Sequence, residues 1–318
     1  MALSNMAVFD KYVMPATIEM LAQKVAKFNA ASNGAFSMTT EGFEGDFLQE
    51  SFWSSIHSAQ RRVDRYAAQG AAAATDLAQA QHNSVKVAGG FGPIRFEPSQ
   101  MTWMQKPTDE GVRVISDNMS DAMLSDMLNT SIAALVGAIA TNGLIADDAG
   151  AIDYDLINQA HALFGDHSMD IVANVMDGAQ YHDLIGLNLA NANNLFRAQG
   201  VMVVDILGKA IVVTDAPSLR VANPGKTSVL GLASGAAVVH DAGDLITNIE
   251  TSNGQTRIET TFQADYSFGL GLKGFAWDTA NGGKSPDDTE LGTGTNWDKV
   301  VTDDKHTAGV LAQFTTPA

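Results

Sequence analysis

The hydrophobic pattern between residues 108 and 142 predicts one long helix. Five aliphatic residues recur there at steps of three and four, which places them on one helix face. These residues are Leu124, Leu128, Ile132, Leu135 and Ile139. Met119, Met123 and Met127 form an adjacent row at steps of four. The pattern fits either an ordinary core helix or the spine of a thin, extended molecule.

The ends of this helix are predicted from capping chemistry. Asp117 or Ser120 can act as N-cap, because a short side-chain oxygen accepts an orphan backbone N–H. Asn142-Gly143 is expected to end the helix, since glycine adopts the left-handed C′ conformation without a Cβ clash. A helix from Asp117 to Thr141 would be about 40 Å long.

Before this helix, the pattern predicts a first helix and then a long excursion. Residues 9–31 read as an amphipathic helix with Pro15 in its first turn, ended by Asn33-Gly34. Residues Phe52 to Gln81 are rich in alanine and predict a second helix. Residues 84–104 alternate as extended strand, interrupted at Gly89-Gly90. Excursions as long as 41–105 are uncommon inside a compact domain unless they have a function.

After the long helix, the pattern becomes alternating α/β. The predicted elements are a helix at 153–164, a strand at Asp170–Met176, a helix at Asp177–Asn191, a hairpin of Val201–Ile206 with Ala210–Thr214, and two short strands about Ser234-Gly235.

A further hairpin is predicted from residues 246–261, where polar and less polar residues alternate on both sides of Asn253-Gly254. This dipeptide accepts the positive φ angles of a type I′ turn, which matches the twist of paired strands. Because much of both faces is polar, we expect the hairpin to project from the body. A strand pair with aromatic residues follows, and then residues 279–318, whose place in the fold the pattern does not indicate.

Charge limits the possible partners of the 318-residue chain. It carries 19 Lys+Arg against 36 Asp+Glu, a net charge of −17. This argues against a groove that tracks nucleic-acid phosphates, although an acidic wall can still enclose DNA without binding it. The densest basic cluster is Arg61, Arg62 and Arg65. It fits either a solvated helix face or a contact with acids of a neighbouring subunit.

Targeting and redox signals are absent from the sequence. There is no cysteine, so disulfides and cysteine ligands are excluded. The first residues lack the basic and apolar regions of a signal peptide, and no apolar stretch approaches the ~20 residues of a membrane helix. We therefore expect a soluble protein made in the cytoplasm, with no membrane partner.

Catalytic and cofactor motifs fail on spacing or context. Gly269, Gly271 and Gly274 match a dinucleotide fingerprint, but strand-forming residues follow where a helix must begin. No HExxH pair or GxSxG elbow occurs. We predict no cofactor, no metal and no catalytic residue. A soluble α/β enzyme with a site assembled from His161, His182 and aspartates is an alternative from a different class.

The order of elements resembles the major capsid protein of tailed double-stranded DNA bacteriophages, with the α+β Hong Kong 97-type capsid fold. DIVANVMDGAQYHDLIG is similar to the strand and helix of that family's axial domain. ILGKAIVVTDAP resembles its hairpin with an Asp-Ala-Pro turn, and TRIETTFQADYSFGLGLKGFAWD resembles its last long strands. The resemblance spans nearly the whole chain, in element order and loose patterns.

The resemblance implies a domain division. The implied regions are 1–40 (N-terminal arm), 41–105 (extended loop), 106–150 with 241–268 (peripheral domain with spine helix and projecting hairpin), 151–240 with 269–280 (axial domain) and 281–318 (C-terminal tail). The hairpin tip at Asn253 and Gly254 would lie near threefold contacts. Some relatives join a lysine to an asparagine of the next subunit, and Lys86 lies in the implied loop without an evident partner.

The implied function is a structural shell protein. Copies would assemble into pentamers and hexamers of an icosahedral head around double-stranded DNA, without sequence-specific binding. Only about 40 residues precede the implied loop, so a separate scaffolding protein is expected, together with a portal. An encapsulin-like bacterial nanocompartment shell is the alternative within this fold.

Overall fold

The computed structural model describes residues 3–39, 47–53, 62–66, 68, 70, 79–96, 109–148, 150, 152–195, 209–221, 225–252 and 259–315. Within these ranges the helices are α1 (Leu3–Ala31), α2 (Asp109–Thr141), α3 (Tyr154–Ala162), α4 (Gly178–Leu195), α5 (Thr279–Gly282) and α6 (Asp288–Gly292). Short 3-10 helices lie at Gly165–Asp170, Pro217–Leu219, Gly294–Asn296 and Asp304–His306.

The described strands form two sheets. In chain order they are β1 (Phe36–Thr39), β2 (Phe47–Trp53), β3 (Gln79–Phe96), β4 (Ile145–Asp148), β5 (Ile171–Met176), β6 (Ala210–Val213), β7 (Arg220–Val221), β8 (Lys226–Ala233), β9 (Ala237–Asp241), β10 (Ile246–Ser252), β11 (Glu259–Leu272), β12 (Phe275–Trp277), β13 (Trp297–Lys299) and β14 (Gly309–Thr315). Sheet A contains β1, β2, β3 and β9–β13, and sheet B contains β4–β8 and β14.

Strand β11 is the centre of sheet A. One of its edges pairs with β3, and the other pairs first with β10 and then with β9. In sheet B the order is β4-β14-β8-β5-β6, with β7 paired to β8. The chain passes from sheet B to sheet A at Ser234-Gly235, where Gly235 has φ of 67°. The two short strands predicted there therefore lie in different sheets.

The predicted long helix exists and is longer than expected. Helix α2 has 33 residues and is about 50 Å long. Its end is as predicted, because Gly143 has φ of 77° and Leu144 N–H donates to the Ile139 carbonyl at 3.3 Å. The predicted N-caps are wrong, since Asp117 and Ser120 lie inside the helix.

Those two side chains instead join α2 to α1. Lys24 Nζ of α1 donates to Asp117 Oδ1 at 2.6 Å and to Ser120 Oγ at 3.0 Å. Asp121 Oδ1 accepts the same ammonium group at 2.7 Å. Short polar residues at this position thus mark a helix–helix contact, which competes with their capping role in the sequence pattern.

The buried stripe of α2 matches the predicted face in its second half only. Ile132, Leu135 and Ile139 are fully buried, whereas Leu124 and Leu128 are only partly buried. The methionine row is buried more deeply than those two leucines. By length and composition, Arg113–Thr141 could cross a membrane, contrary to expectation, but half of its apolar window is buried inside the fold. Helix α2 is therefore the core helix of this fold.

Helix α1 begins earlier than predicted, at Leu3. Pro15 consequently lies in the helix interior rather than in the first turn, where its missing N–H removes one backbone hydrogen bond. Asn33 and Gly34 end the helix as expected, with φ of 52° and 77°.

The helix predicted from Phe52 to Gln81 is wrong in its described parts. Phe52 lies in β2, residues 79–81 lie in β3, and residues 62–66 are irregular, with a bend at 65–66. At its two described ends, backbone pairing of β2 with β3 overrides the predicted helix. Strand β3 also continues through Gly89-Gly90, which was expected to interrupt it.

The α/β region follows the predicted order. Helix α3, strand β5 and helix α4 occupy the expected positions, and Asp153 caps α3. Strand β6 pairs in parallel with β5. The other arm of the hairpin predicted here, Val201–Ile206, lies outside the described residues.

Over its described part, residues 281–315, the predicted C-terminal tail is not separate from the body. Strand β14 lies inside sheet B, between β4 and β8, and Val310, Leu311 and Ala312 are fully buried. Strand β13 joins sheet A. Because β11 is continuous to Leu272, sheet A also takes in the residues after 268 that the resemblance assigned to the axial domain.

Candidate assembly surfaces

Strands β2 and β3 form an antiparallel extension of sheet A. Pairing runs from Phe47 opposite Val85 to Trp53 opposite Gln79. The remainder of β3 pairs with β11, from Val85 opposite Leu270 onwards. We call β2 with residues 79–85 the ribbon. It begins where β3 leaves β11, and its seven residue pairs extend about 20 Å.

Residues 62–66, in the connection between the two ribbon strands, are all exposed. The Tyr66 side chain is 93% exposed and Val63 is 66% exposed, so this connection presents two large apolar groups to solvent within four residues. Arg62 and Arg65 are exposed as well, and they do not take part in the ion pairs among the described residues. The third predicted contact residue, Arg61, lies outside those residues.

Many other described cations are held within the subunit. The paired cations are Lys24, Lys86, Arg95, Arg220, Lys226, Lys299 and Lys305. The exposed arginines of residues 62–66 therefore differ from these groups in having charge available for a neighbouring molecule.

The arms of the hairpin predicted around residue 253 are present. Strand β10 pairs antiparallel with β11, from Ile246 opposite Asp265 to Ser252 opposite Glu259. Asn253 and Gly254 lie outside the described residues, so the turn type and the threefold contact stay predictions. Ser252 lies opposite Glu259, so six residues separate the paired ends of the two strands. A two-residue turn at Asn253-Gly254 would instead place Ser252 opposite Gln255.

The ribbon and the hairpin leave sheet A at opposite ends of β11. The ribbon begins beside Leu270, and the hairpin ends at Glu259. At about 3.4 Å per residue, these positions are roughly 37 Å apart. Arg95 Nε lies 3.2 Å from Glu259 Oε2 and ties β3 to the hairpin end. The ribbon and the hairpin end are therefore well separated along β11.

The Asp-Ala-Pro turn in sheet B holds the start of helix α4. Asp215 Oδ1 accepts the Gly178 N–H at 3.2 Å, and Arg220 donates to Asp177. Hydrogen bonding with Asp177, and then with the Gly178 backbone, holds the pKa of Asp215 below its usual value. The turn therefore has a structural role, which is to fix α4 against the ends of β5 and β6.

The two histidines of the enzyme alternative have different partners. His161 is buried, its Nε2 lies 2.9 Å from Asn174 Oδ1, and burial lowers its pKa to about 4. The His182 ring packs edge-on against Tyr181, with 5.7 Å between centroids. Across the described ranges, no group of three or more His, Cys, Asp or Glu could hold a metal ion. These contacts give the enzyme alternative no support.

Two sequence features are resolved by the fold. Gly269 and Gly271 lie inside β11, and Gly274 lies in the turn before β12, so the dinucleotide fingerprint opens no helix. Lys86, which had no evident partner in the sequence, pairs with Asp244 Oδ2 at 3.2 Å within its own subunit.

Comparison with solved structures identifies the fold as that of phage capsid proteins. The chain is similar to a protein of Mycobacterium phage Adephagia (TM-score 0.55, 10% identity, 91% of each chain). It is also similar to the capsid asymmetric unit of Cyanophage Pam1 (TM-score 0.51, 11% identity, 88% of each chain). A protein of Mycobacterium phage Cain gives a TM-score of 0.55 at 9% identity, over 91% of this chain and 90% of that one. The Hong Kong 97-type fold agrees with these neighbours.

The family described as major capsid protein 13-like (Gp13-like) matches residues 5–311. The chain belongs to this family of major capsid proteins. It is therefore a structural, non-enzymatic component of a phage virion, and copies of it assemble into the capsid. No curated protein matches the chain.

Sequence reasoning missed the docking of residues 279–299 on α2. A Cβ on Gly294 would overlap the Gly137 carbonyl oxygen and Thr141 Oγ1, so backbones meet there directly. Trp277 and Trp297 pack edge-on at 4.9 Å and donate to the carbonyls of Gly283 and Leu291 at 2.9 Å each. The concentration of glycine and tryptophan in this segment was the available signal.

Proposed function

We propose that the chain forms the hexamers and pentamers of an icosahedral phage head that encloses double-stranded DNA. In this proposal, sheet A with α1 and α2 is the peripheral domain, and sheet B with α3 and α4 is the axial domain. The observation that carries the proposal is the ribbon, whose connecting residues 62–66 are exposed and hold two arginines without a described ion pair. Such an extension is explained by a neighbouring copy that covers it.

The charge of the subunit supports a container rather than a DNA-binding wall. Condensing DNA requires Lys and Arg on the phosphates, and here many described cations are already paired with carboxylates of the same chain. With a net charge of −17, the wall repels DNA, so filling must be driven from outside, by a motor at a portal.

A scaffolding protein is part of the proposal. Helix α1 packs on α2 through Lys24 and through a hydrogen bond from Ser116 Oγ to the Val13 carbonyl at 3.2 Å. The described residues before the ribbon therefore belong to the shell body and are not available as a built-in scaffold. We infer that a scaffolding protein guides closure, and that subunits are made in the host cytoplasm.

Electron microscopy and sedimentation of the purified full-length chain across a salt series test this proposal. Shell-like assemblies are expected even in the absence of the scaffolding protein, whose proposed role is to guide their closure. Assembly should become easier as salt rises, because screening over about 8 Å weakens repulsion between acidic subunits. The subunits should not shift double-stranded DNA at physiological salt. A species that stays a small oligomer under all conditions contradicts the proposal, and tight, salt-sensitive DNA binding favours a nucleic-acid-binding role instead.

A further inference from the structure

One edge of β11 changes its partner strand near Ser267. The edge pairs with β9 as far as Phe268 opposite Asp241, and with β10 from Asp265 opposite Ile246. The connection between β9 and β10, residues 242–245, spans the gap between the two pairings. Ser267 would therefore face this edge without a strand to accept its N–H.

The carboxylate of Asp244 takes the place of the missing strand. Its Oδ1 accepts the Ser267 N–H at 2.9 Å, and its Oδ2 accepts the Ser267 hydroxyl. The Ala242 N–H donates to the Ser267 carbonyl at 3.2 Å. Burial raises the pKa of Asp244, but the bonds from Ser267 and Lys86 outweigh it and hold that pKa below its usual value. The group is thus an anion that accepts hydrogen bonds.

The same carboxylate reaches the base of the ribbon. Lys86 lies on β3 opposite Gly269, and its Nζ crosses β11 to Asp244 Oδ2 at 3.2 Å. Val85, the next residue, is where β3 exchanges β11 for β2. Asp244 therefore connects the β9–β10 link, the middle of β11 and the point at which the ribbon leaves the sheet.

We infer that Asp244, Lys86 and Ser267 form a positioning cluster that fixes the direction in which the ribbon leaves sheet A. This inference rests on the proposed function, because the direction of the ribbon determines where it meets the neighbouring copy. It also gives Lys86 a role inside its own subunit.

Because the Lys86–Asp244 ion pair is partly exposed, its role in positioning the ribbon can be distinguished from a contribution to the stability of the whole subunit. The side chains of Lys86 and Asp244 are 31% and 40% exposed, and ion pairs of this kind contribute only about 0–1 kcal/mol to folding. Loss of the pair should therefore leave global unfolding nearly unchanged. It should instead increase the local opening of the ribbon, whose strands β2 and β3 depend on this attachment.

The chain contains a matched control in sheet B. Lys226 pairs with Asp147 Oδ2 at 3.0 Å, and these side chains are 31% and 46% exposed. Lys86→Met and Lys226→Met remove the same charge and keep most of the apolar stem. Asp244→Asn is a second test variant, because its amide oxygen can still accept the Ser267 N–H while the charge opposite Lys86 is lost.

Native-state hydrogen exchange of the full-length subunit, with electron microscopy of assembled particles, tests the inference. In Lys86→Met and Asp244→Asn, the amides of residues 47–53 and 79–85 should exchange about fivefold faster, as expected for a loss near 1 kcal/mol. Particles of these two variants should become irregular in size, whereas their melting temperatures should match that of the wild type. Lys226→Met should match the wild type in ribbon exchange and in particle size. Lys86→Arg should restore both ribbon protection and particle uniformity.

Three results would overturn the inference. The first is wild-type exchange of the ribbon amides in Lys86→Met, and the second is equal acceleration in Lys226→Met. The third is fast ribbon exchange with uniform particles, which would remove the link to assembly. If no protein forms particles, wild type included, the proposed function fails, while the exchange measurement still decides whether the cluster holds the ribbon.

Discussion

Residues 279–299 and residues 62–66 differ in where their contacts lie. The first segment makes its contacts within the subunit: Gly294 meets the backbone of α2, Trp297 is buried, and the indole N–H of Trp297 donates to the Leu291 carbonyl. The second segment has Tyr66 almost fully exposed and two arginines without an ion pair among the described residues.

Under the proposed function, this difference separates the parts of the chain that fold a subunit from the parts that join subunits. Side chains that are satisfied internally determine the stability of the monomer, and changes there act before assembly. Side chains left exposed in the ribbon connection contribute little to the monomer, so changes there act only when copies meet. The predictions below use pairs of variants that separate these two effects.

The largest expected effect is at the contact between residues 279–299 and α2. Gly294→Ala would place a methyl group on the Gly137 carbonyl and Thr141 Oγ1, and both belong to a rigid helix. Because the backbones must move apart, we expect a loss of about 3 kcal/mol or more in the free energy of unfolding. Urea unfolding of the subunit measures this loss.

Gly292→Ala is the matched control in the same segment. A Cβ there meets only the Ala133 methyl, at 3.9 Å, which is ordinary van der Waals contact. Its stability should lie within about 0.5 kcal/mol of the wild type. Equal behaviour of the two variants would show that the segment does not dock on α2 as described.

The next effect compares two tyrosines. Tyr266 is buried against Gly89 of β3, and its hydroxyl donates to Asp126 Oδ2 on α2 at 2.6 Å. Burial raises the pKa of Asp126, while this bond lowers it. Tyr266→Phe leaves a half-buried carboxylate without its donor, so we expect a loss of about 1–3 kcal/mol in the free energy of unfolding. Tyr66→Phe should change stability little, because its hydroxyl is in solvent.

The pH dependence of the Tyr266→Phe effect follows from the same contact. The lost bond favours the ionised Asp126, so its removal raises the pKa of Asp126 further in the folded state. The deficit of the variant should be largest above that pKa and should shrink as pH falls through it. Urea titrations at several pH values measure this, and a deficit that grows toward acid would contradict the assigned contact.

The long helix α2 could be predicted from sequence because its 3.6-residue period and its Asn142-Gly143 stop are local signals. Its early start could not, since Asp117 and Ser120 look like caps until Lys24 is brought to them from α1. The β10–β11 hairpin arms were likewise visible in the alternation of residues 246–261. Local patterns therefore predicted these elements better than their bounds.

The elements that were missed depend on distant pairing. Alanine-rich residues near the ribbon read as helix, although β2 and β3 pair across a long connection. The place of β14 inside sheet B depends on partners at Ile145 and Leu230, far away in the chain. The Lys86–Asp244 contact joins residues 158 positions apart, so no spacing rule could predict it.

The smallest expected effect on the stability of the subunit is at Arg61, Arg62 and Arg65. Replacing Arg61, Arg62 and Arg65 together by Glu should leave the melting temperature of the subunit unchanged, because the two described arginines are exposed. Each exposed pair contributes only about 0–1 kcal/mol, so single substitutions should be nearly silent. The triple change should block assembly, because every equivalent interface of a closed shell repeats the loss. Light scattering and electron microscopy measure assembly.

A control triple gives the same change in net charge at other exposed cations, Lys27→Glu, Arg113→Glu and Lys284→Glu. If general repulsion between acidic subunits were the cause, both triples would block assembly at low salt and recover together as salt rises. A specific contact predicts that only the arginine triple stays defective at high salt. Normal shells from the arginine triple would mean that residues 62–66 are solvated in the assembled particle, and would leave another surface to join the subunits.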